Sequence, residues 1–290
     1  MQSSPRPRIQ DRIKIIVQQL LPKQTLTVIA GKLATMELGR FTTTFIRWYA
    51  NHYKVNLAEA IEPDPASYPC FQDFFTRPIR PELRPIAETD FVCPVDGRIN
   101  QCGHVDGDKI LQAKGQTYTT AALLGGACAT PQDFAQGSFA TLYLSPGDYH
   151  RIHMPCDGRL VQMLHVPGAL YSVNPTTANN IPGLFAQNER VVCIFESTFG
   201  PFAMVLVGAT IVGSMTTVWH GVVNAERTGG VRRWQYQDQP ISLKKGEEMG
   251  RFSLGSTVIL LFPEETIAFN PKWSGENSIR MGEYMGDVPD

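Results

Sequence analysis

Apolar residues recur at Ile9, Ile13, Ile16, Val17, Leu20 and Leu21, the spacing of one helical face, with Arg12 and Lys14 beside it and Pro22 closing the run. Two more helical patterns are expected over 26–38 and 41–53, the second carrying Phe41, Phe45, Trp48 and Tyr49 with Arg47 and Lys54. Bulky aromatics with basic neighbours suit a helix lying in the headgroup plane of a membrane. A helical hairpin packed on the protein's own core has the same pattern. Past Pro63 the period changes. Gly and Pro punctuate short runs rich in Val, Ile, Leu and aromatics, namely TLYLS, VVCIF, AMVLV, TIVGS and TVILLF. The expected fold class is therefore α+β, with a β-rich domain over 63–290 preceded by amphipathic helices over 1–62. The proline-rich stretch 62–90 reads as an extended linker near that boundary. The longest uncharged stretch, 197–225, is long enough to span a bilayer, but Pro201, His220, several glycines and many β-branched residues make it buried strands instead.

Composition refines this pattern. With 290 residues, 43% hydrophobic and 18% charged, the chain can bury a substantial core. Its formal charge of −1 gives no basic field for nucleic acid, so no nucleic-acid partner is expected. The near-neutral total hides a split. Residues 1–60 hold nine Lys/Arg against three Asp/Glu, a surplus of six, and the rest hold 17 against 24, a deficit of seven. A basic amphipathic end on an acidic body points to a membrane surface. Six scattered cysteines without a CxxC pair suggest a reducing compartment. The N-terminus, charged within its apolar part and lacking a small-residue cleavage site, does not read as a secretory signal.

Three segments can carry chemistry. YHRIHMP places His150 and His153 three residues apart after a strand and a turn, where imidazoles serve as acid, base or ligand. No HExxH or CxxC completes a metal set, so no metal is expected. In CPVDGRI, Asp96 precedes Gly97; it is either a turn carboxylate or the partner that orients a histidine. In RFSLGSTVILLF, Gly255 and Ser256 stand directly ahead of a strand. Ser256 either begins that strand or is a nucleophile whose hydroxyl can approach the open carbonyl of Gly255. The GxSxG elbow of an α/β-hydrolase is absent.

The segments FFTRPIRPE (74–82), PVDGRI (94–99), YHRIHMPCDGRL (149–160), NER (188–190), VGATIVGS (207–214) and GEEMGRFSLGST (246–257) together resemble the phosphatidylserine decarboxylases, in order along most of 70–262. The long basic N-terminus and the LGST sequence are similar to the bacterial membrane-associated branch. The resemblance implies a self-cleavage triad of Asp96, His153 and Ser256, with Asp96 fixing the tautomer of His153 and Ser256 attacking the Gly255 carbonyl. Cleavage there implies a β chain of 1–255 and an α chain of 256–290 that stay together. Ser256 becomes a pyruvoyl cofactor that forms a Schiff base with phosphatidylserine, and CO2 is lost to give phosphatidylethanolamine. His150 is the first candidate, and His153 the second, for protonating the substrate carbon or holding the substrate. The resemblance further implies peripheral attachment to the cytoplasmic face of the inner membrane, a substrate in an anionic bilayer, and a homodimer of the two-chain unit. Two other readings remain: a conventional Ser-His-Asp hydrolase acting on an external ester, and a membrane-tethered β-rich binding module.

Overall fold

The computed structural model describes residues 22–126, 131–210, 214–224, 229–236, 240–253, 256–275 and 277–289. The helix expected over 9–21 lies outside these residues, as does Gly255. The other two helices form as Lys23–Ala34 and Arg40–Tyr53. Lys54 ends the second in a left-handed conformation, its N–H bonded to the Ala50 carbonyl.

Among the described residues, the core is a nine-stranded antiparallel sheet. Its main path runs Arg232–Gln235, Gly158–Val166, Arg190–Ser197, Gly200–Val207, Ser256–Phe262, Ser138–Leu144, Gly97–His104 and Ser278–Ile279, with Ser242–Leu243 also paired to Gly158–Val166. Ser256–Phe262 lies in the interior of this sheet, paired to Ser138–Leu144 on one side and Gly200–Val207 on the other. Both its faces are covered and all seven residues are buried, which explains why TVILLF is continuously apolar rather than alternating. A four-stranded sheet ordered Gly221–Val222, Met215–Thr217, Glu248–Phe252 and Arg151–His153 adjoins it. The runs TLYLS, VVCIF, AMVLV and TVILLF fall on observed strands. TIVGS does not: Thr210 and Ser214 are outside any strand, and 211–213 lie outside the described residues.

The stretch 62–90 is not an extended linker. It folds into the short helix Phe71–Phe75 and two 3-10 turns. Phe71, Phe74 and Phe75 pack with Ala34, Ile46 and Tyr49 in a second hydrophobic cluster. Proline stiffens the stretch, but three buried phenylalanines give it a reason to dock. The Arg40–Tyr53 helix is therefore tied to the body on one face. Tyr49 OH donates to the Pro146 carbonyl at 3.0 Å. A Cβ on Gly147 would sit 2.5 Å from the Tyr53 carbonyl oxygen, so only glycine allows this close approach. The opposite face is open to solvent, with Phe41 81% and Trp48 54% exposed. Among the described residues, no helix is long and apolar enough to cross a membrane.

Candidate active site

Ser256 opens its strand opposite Leu144, and Gly97 packs against Tyr143 and Leu144 on the far side, where it pairs with Ile279. Ser256, Leu144 and Gly97 thus form one row across the sheet, and at about 4.8 Å per strand Gly97 stands about 10 Å from Ser256. A Cβ on Gly97 would lie 2.4 Å from the Tyr143 carbonyl oxygen, so this row closes only around glycine. The pairing of Arg151–His153 with Glu248–Phe252 continues to Phe252 N–H, which donates to the His150 carbonyl at 3.1 Å. The segment carrying His150 and the end of the Glu248–Phe252 strand therefore run side by side. Ser256 is fully buried, and its Oγ has no hydrogen-bond partner among the described residues.

Each histidine is held through Nδ1 by a backbone carbonyl. His150 Nδ1 donates to Asp148 O at 2.9 Å, and His153 Nδ1 donates to Gly246 O at 2.8 Å. A carbonyl can only accept, so each ring keeps its proton on Nδ1 and presents an unprotonated Nε2. His153 Nε2 accepts from Tyr149 OH at 3.0 Å, whereas His150 Nε2 is buried without a partner among the described residues. The His150 ring lies against Phe75, with centroids 4.0 Å apart.

The two rings differ as bases. Burial, reinforced by the Arg77 charge, pushes the pKa of His150 down to about 3. Burial also lowers that of His153, but there Glu248 and Asp96 favour the imidazolium, with only Arg151 opposing among the charges.

Asp96 is held elsewhere. It accepts from Arg84 Nε at 2.9 and 3.1 Å and from Arg84 Nη2 at 2.5 Å, and from the Met281 N–H at 2.9 Å. Arg84 also reaches Glu59 at 2.7 Å. The direct Asp96–His153 hydrogen bond expected from the resemblance is not among these contacts. The Gly246 carbonyl fixes the tautomer instead, and Asp96 acts on His153 through its field. The reason lies in geometry. A planar guanidinium satisfies both carboxylate oxygens at once, which one imidazole N–H cannot do.

Of the residues expected from the sequence, Asp96 stands directly before the Gly97–His104 strand, Ser256 opens its own strand, and His150 and His153 lie just before and in the Arg151–His153 strand. Sequence reasoning missed Arg84, Tyr149 and Gly246. Arg84 sat in the proline-rich stretch taken for a linker, and Tyr149 was visible only as the first residue of YHRIHMP. A carbonyl contact such as that of Gly246 leaves no side-chain signature. The NER segment is structural: Asn188 Nδ2 donates to the Tyr171 and Gly208 carbonyls, and Glu189 pairs with buried His165 at 2.8 Å.

A family model described as phosphatidylserine decarboxylase matches residues 71–287, and a second, described as PSD, matches residues 13–54. The chain is 61% identical over 276 residues to the phosphatidylserine decarboxylase proenzyme of Dechloromonas aromatica (strain RCB), covering 95% of this chain and 98% of that one. It is 58% identical to the protein of the same name from Herminiimonas arsenicoxydans, covering 96% and 95% respectively. To that from Azoarcus sp. (strain BH72) it is 59% identical, covering 96% of each. On matches of that identity and extent, the chain belongs to the phosphatidylserine decarboxylase family.

Proposed function

We propose that this decarboxylase is made as a proenzyme that cuts its own chain between Gly255 and Ser256, and that it then converts phosphatidylserine to phosphatidylethanolamine and CO2. The observation that carries the reading is Ser256 Oγ, fully buried and without a partner. A buried hydroxyl left unpaired costs about 1–3 kcal/mol. The position fits a residue whose hydroxyl is consumed when it becomes a pyruvoyl group.

In this reading His153 Nε2 takes the Ser256 hydroxyl proton, because Glu248 and Asp96 stabilise the resulting imidazolium while Arg77 opposes that of His150. Oγ bonds to the Gly255 carbonyl carbon, and the peptide C–N bond breaks. The proton goes to the departing nitrogen, leaving an ester between Gly255 and the Ser256 side chain. Loss of the Ser256 α-proton with rupture of Cβ–Oγ frees the Gly255 carboxylate, and water then releases ammonia from the dehydroalanine left behind. The pieces, 1–255 and 256–290, stay joined through the Ser256–Phe262 strand, which pairs on both sides.

A pyruvoyl group at position 256 supplies the electron sink for decarboxylation. The chain's own part is placement and proton traffic. His150, buried and neutral with its proton on Nδ1, is the side chain we assign to placing the substrate for protonation of its carbon. Phe75 packs against its ring. The exposed Phe41 and Trp48, on the face opposite the docked one, suit peripheral contact with a bilayer, and we assign that contact to the cytoplasmic face.

Intact mass spectrometry of freshly purified active protein tests the reading. Two chains split after residue 255, the smaller with a blocked N-terminus, are expected. A single full-length chain that still releases CO2 would overturn self-cleavage, and a single chain that hydrolyses esters would return the hydrolase reading.

A further inference from the structure

A polar cavity of about 260 Å³ opens beside the Ser256 row, walled by Gly97 and Ser145 on the sheet side and by Arg77, Arg84, Arg98 and Arg280 around it. Its charges are unevenly matched. Arg84 is neutralised by Asp96 and Glu59. Arg98 and Arg280, both exposed, make no side-chain ion pair among the described residues. Arg77 is only 4% exposed, yet among the described residues its hydrogen bonds are long ones to the Phe74 and Gly147 carbonyls, at 3.4 and 3.3 Å, and its Nε has no partner. Its guanidinium also lies 5.2 Å from the Phe74 ring centroid. Asp148 is the nearby candidate counter-charge, but it lies beyond ion-pair distance, and burial holds its carboxyl above the usual range. A buried guanidinium without a carboxylate is costly, and the cost is offset when an anion enters.

Position matters as much as charge. Ser145 follows Leu144, the strand partner of Ser256, so the cavity wall begins about one strand spacing, roughly 5 Å, from residue 256. In a phosphoserine headgroup, four bonds separate the amine nitrogen from phosphorus, a reach of at most about 6 Å. An amine held at residue 256 therefore has the Ser145 edge of the cavity within reach of its phosphate.

We propose that this cavity is the phosphodiester site of the substrate, with Arg77 binding the phosphate oxygens from the buried end and Arg98 and Arg280 from the rim. It rests on the decarboxylase reading of Ser256 and adds to it the residues that select a phosphorylated serine over free serine. Arg77 comes from FFTRPIRPE, a segment the cleavage chemistry leaves unused.

The test uses full-length protein and phosphatidylserine in nonionic mixed micelles, which remove any charge attraction to a bilayer. Intact mass is read before kinetics. Arg77→Gln is expected to cleave normally and to raise KM about tenfold, the loss of one charge-assisted hydrogen bond; Arg77→Lys keeps part of the affinity. Because Arg77 is buried, Arg98→Gln with Arg280→Gln serves as an independent variant, expected to cleave fully and raise KM several-fold. Glycerophosphoserine should inhibit the wild type competitively at lower concentration than inorganic phosphate, and lose that advantage in Arg77→Gln. Unchanged KM in a correctly cleaved Arg98/Arg280 variant, or equal inhibition by inorganic phosphate and the headgroup, would overturn the site. Failure of the underlying reading looks different: the wild type itself would remain one chain and release no CO2.

Discussion

The hydroxyl of Tyr149 lies 3.0 Å from His153 Nε2, on the nitrogen that the Gly246 carbonyl leaves unprotonated from the other side of the ring. The base assigned to self-cleavage is thus capped in the folded chain. Tyr149→Phe removes the cap and keeps the ring. Cleavage in this variant, followed by gel densitometry after synthesis, is expected at least as fast as in the wild type. A large slowing would make the hydroxyl a proton carrier instead.

The two histidines are expected to separate. His153→Ala should leave the chain uncut. His150→Ala should cut but lose most of its decarboxylation, about 10²-fold or more for a positioned proton-transfer group. Intact mass and CO2 release, measured on the same preparations, check both. A fully active His150→Ala would remove that residue from the mechanism.

Ser256→Ala should abolish both cleavage and CO2 release, leaving a single chain of 32.2 kDa. Stability should move little or rise, because the substitution deletes a buried hydroxyl without a partner. Thermal unfolding against the uncut His153→Ala chain provides the comparison, since both are unprocessed.

Arg84→Ala strands the Asp96 carboxylate in a buried place with only the Met281 N–H. A loss of about 3–5 kcal/mol is expected, as for other buried pairs broken on one side. Urea denaturation measures it. Weaker cleavage should accompany it, because the field of Asp96 on His153 depends on where Arg84 holds it.

Stability should also fall with acid in a defined window. The pKa of His150 is depressed to about 3 in the folded protein, against an ordinary value of about 6.5, so the unfolded chain binds the proton first. The contribution is fully present above about pH 6.5 and is lost progressively as pH falls toward 3. His153 is shifted the same way and adds to the effect. Melting temperature against pH, for wild type and His150→Gln, should show a shallower acid limb in the variant.

Membrane contact is better tested by point changes than by removing residues 1–60. Such a deletion would strip Ile46 and Tyr49 from Phe71, Phe74 and Phe75, and with them the brace on the connection bearing His150. Phe41→Glu with Trp48→Glu alters only the solvent-facing side. Cleavage should be normal, with binding to anionic vesicles reduced about tenfold or more, read by sedimentation.

The linear chain already determined the chemistry-bearing residue types and most of the strands. Ser256 behind Gly255, Asp96 before Gly97 and the two histidines of YHRIHMP are local patterns, and a buried central strand announces itself as an apolar run because both its faces are covered. Only the tertiary structure decided partners. Arg84 took Asp96 because a stretch of prolines and arginines folded back against the sheet, driven by three phenylalanines whose burial no local period encodes. The Gly246 carbonyl took His153 because a backbone group, identical in every residue, is placed by the fold and not by the sequence beside it.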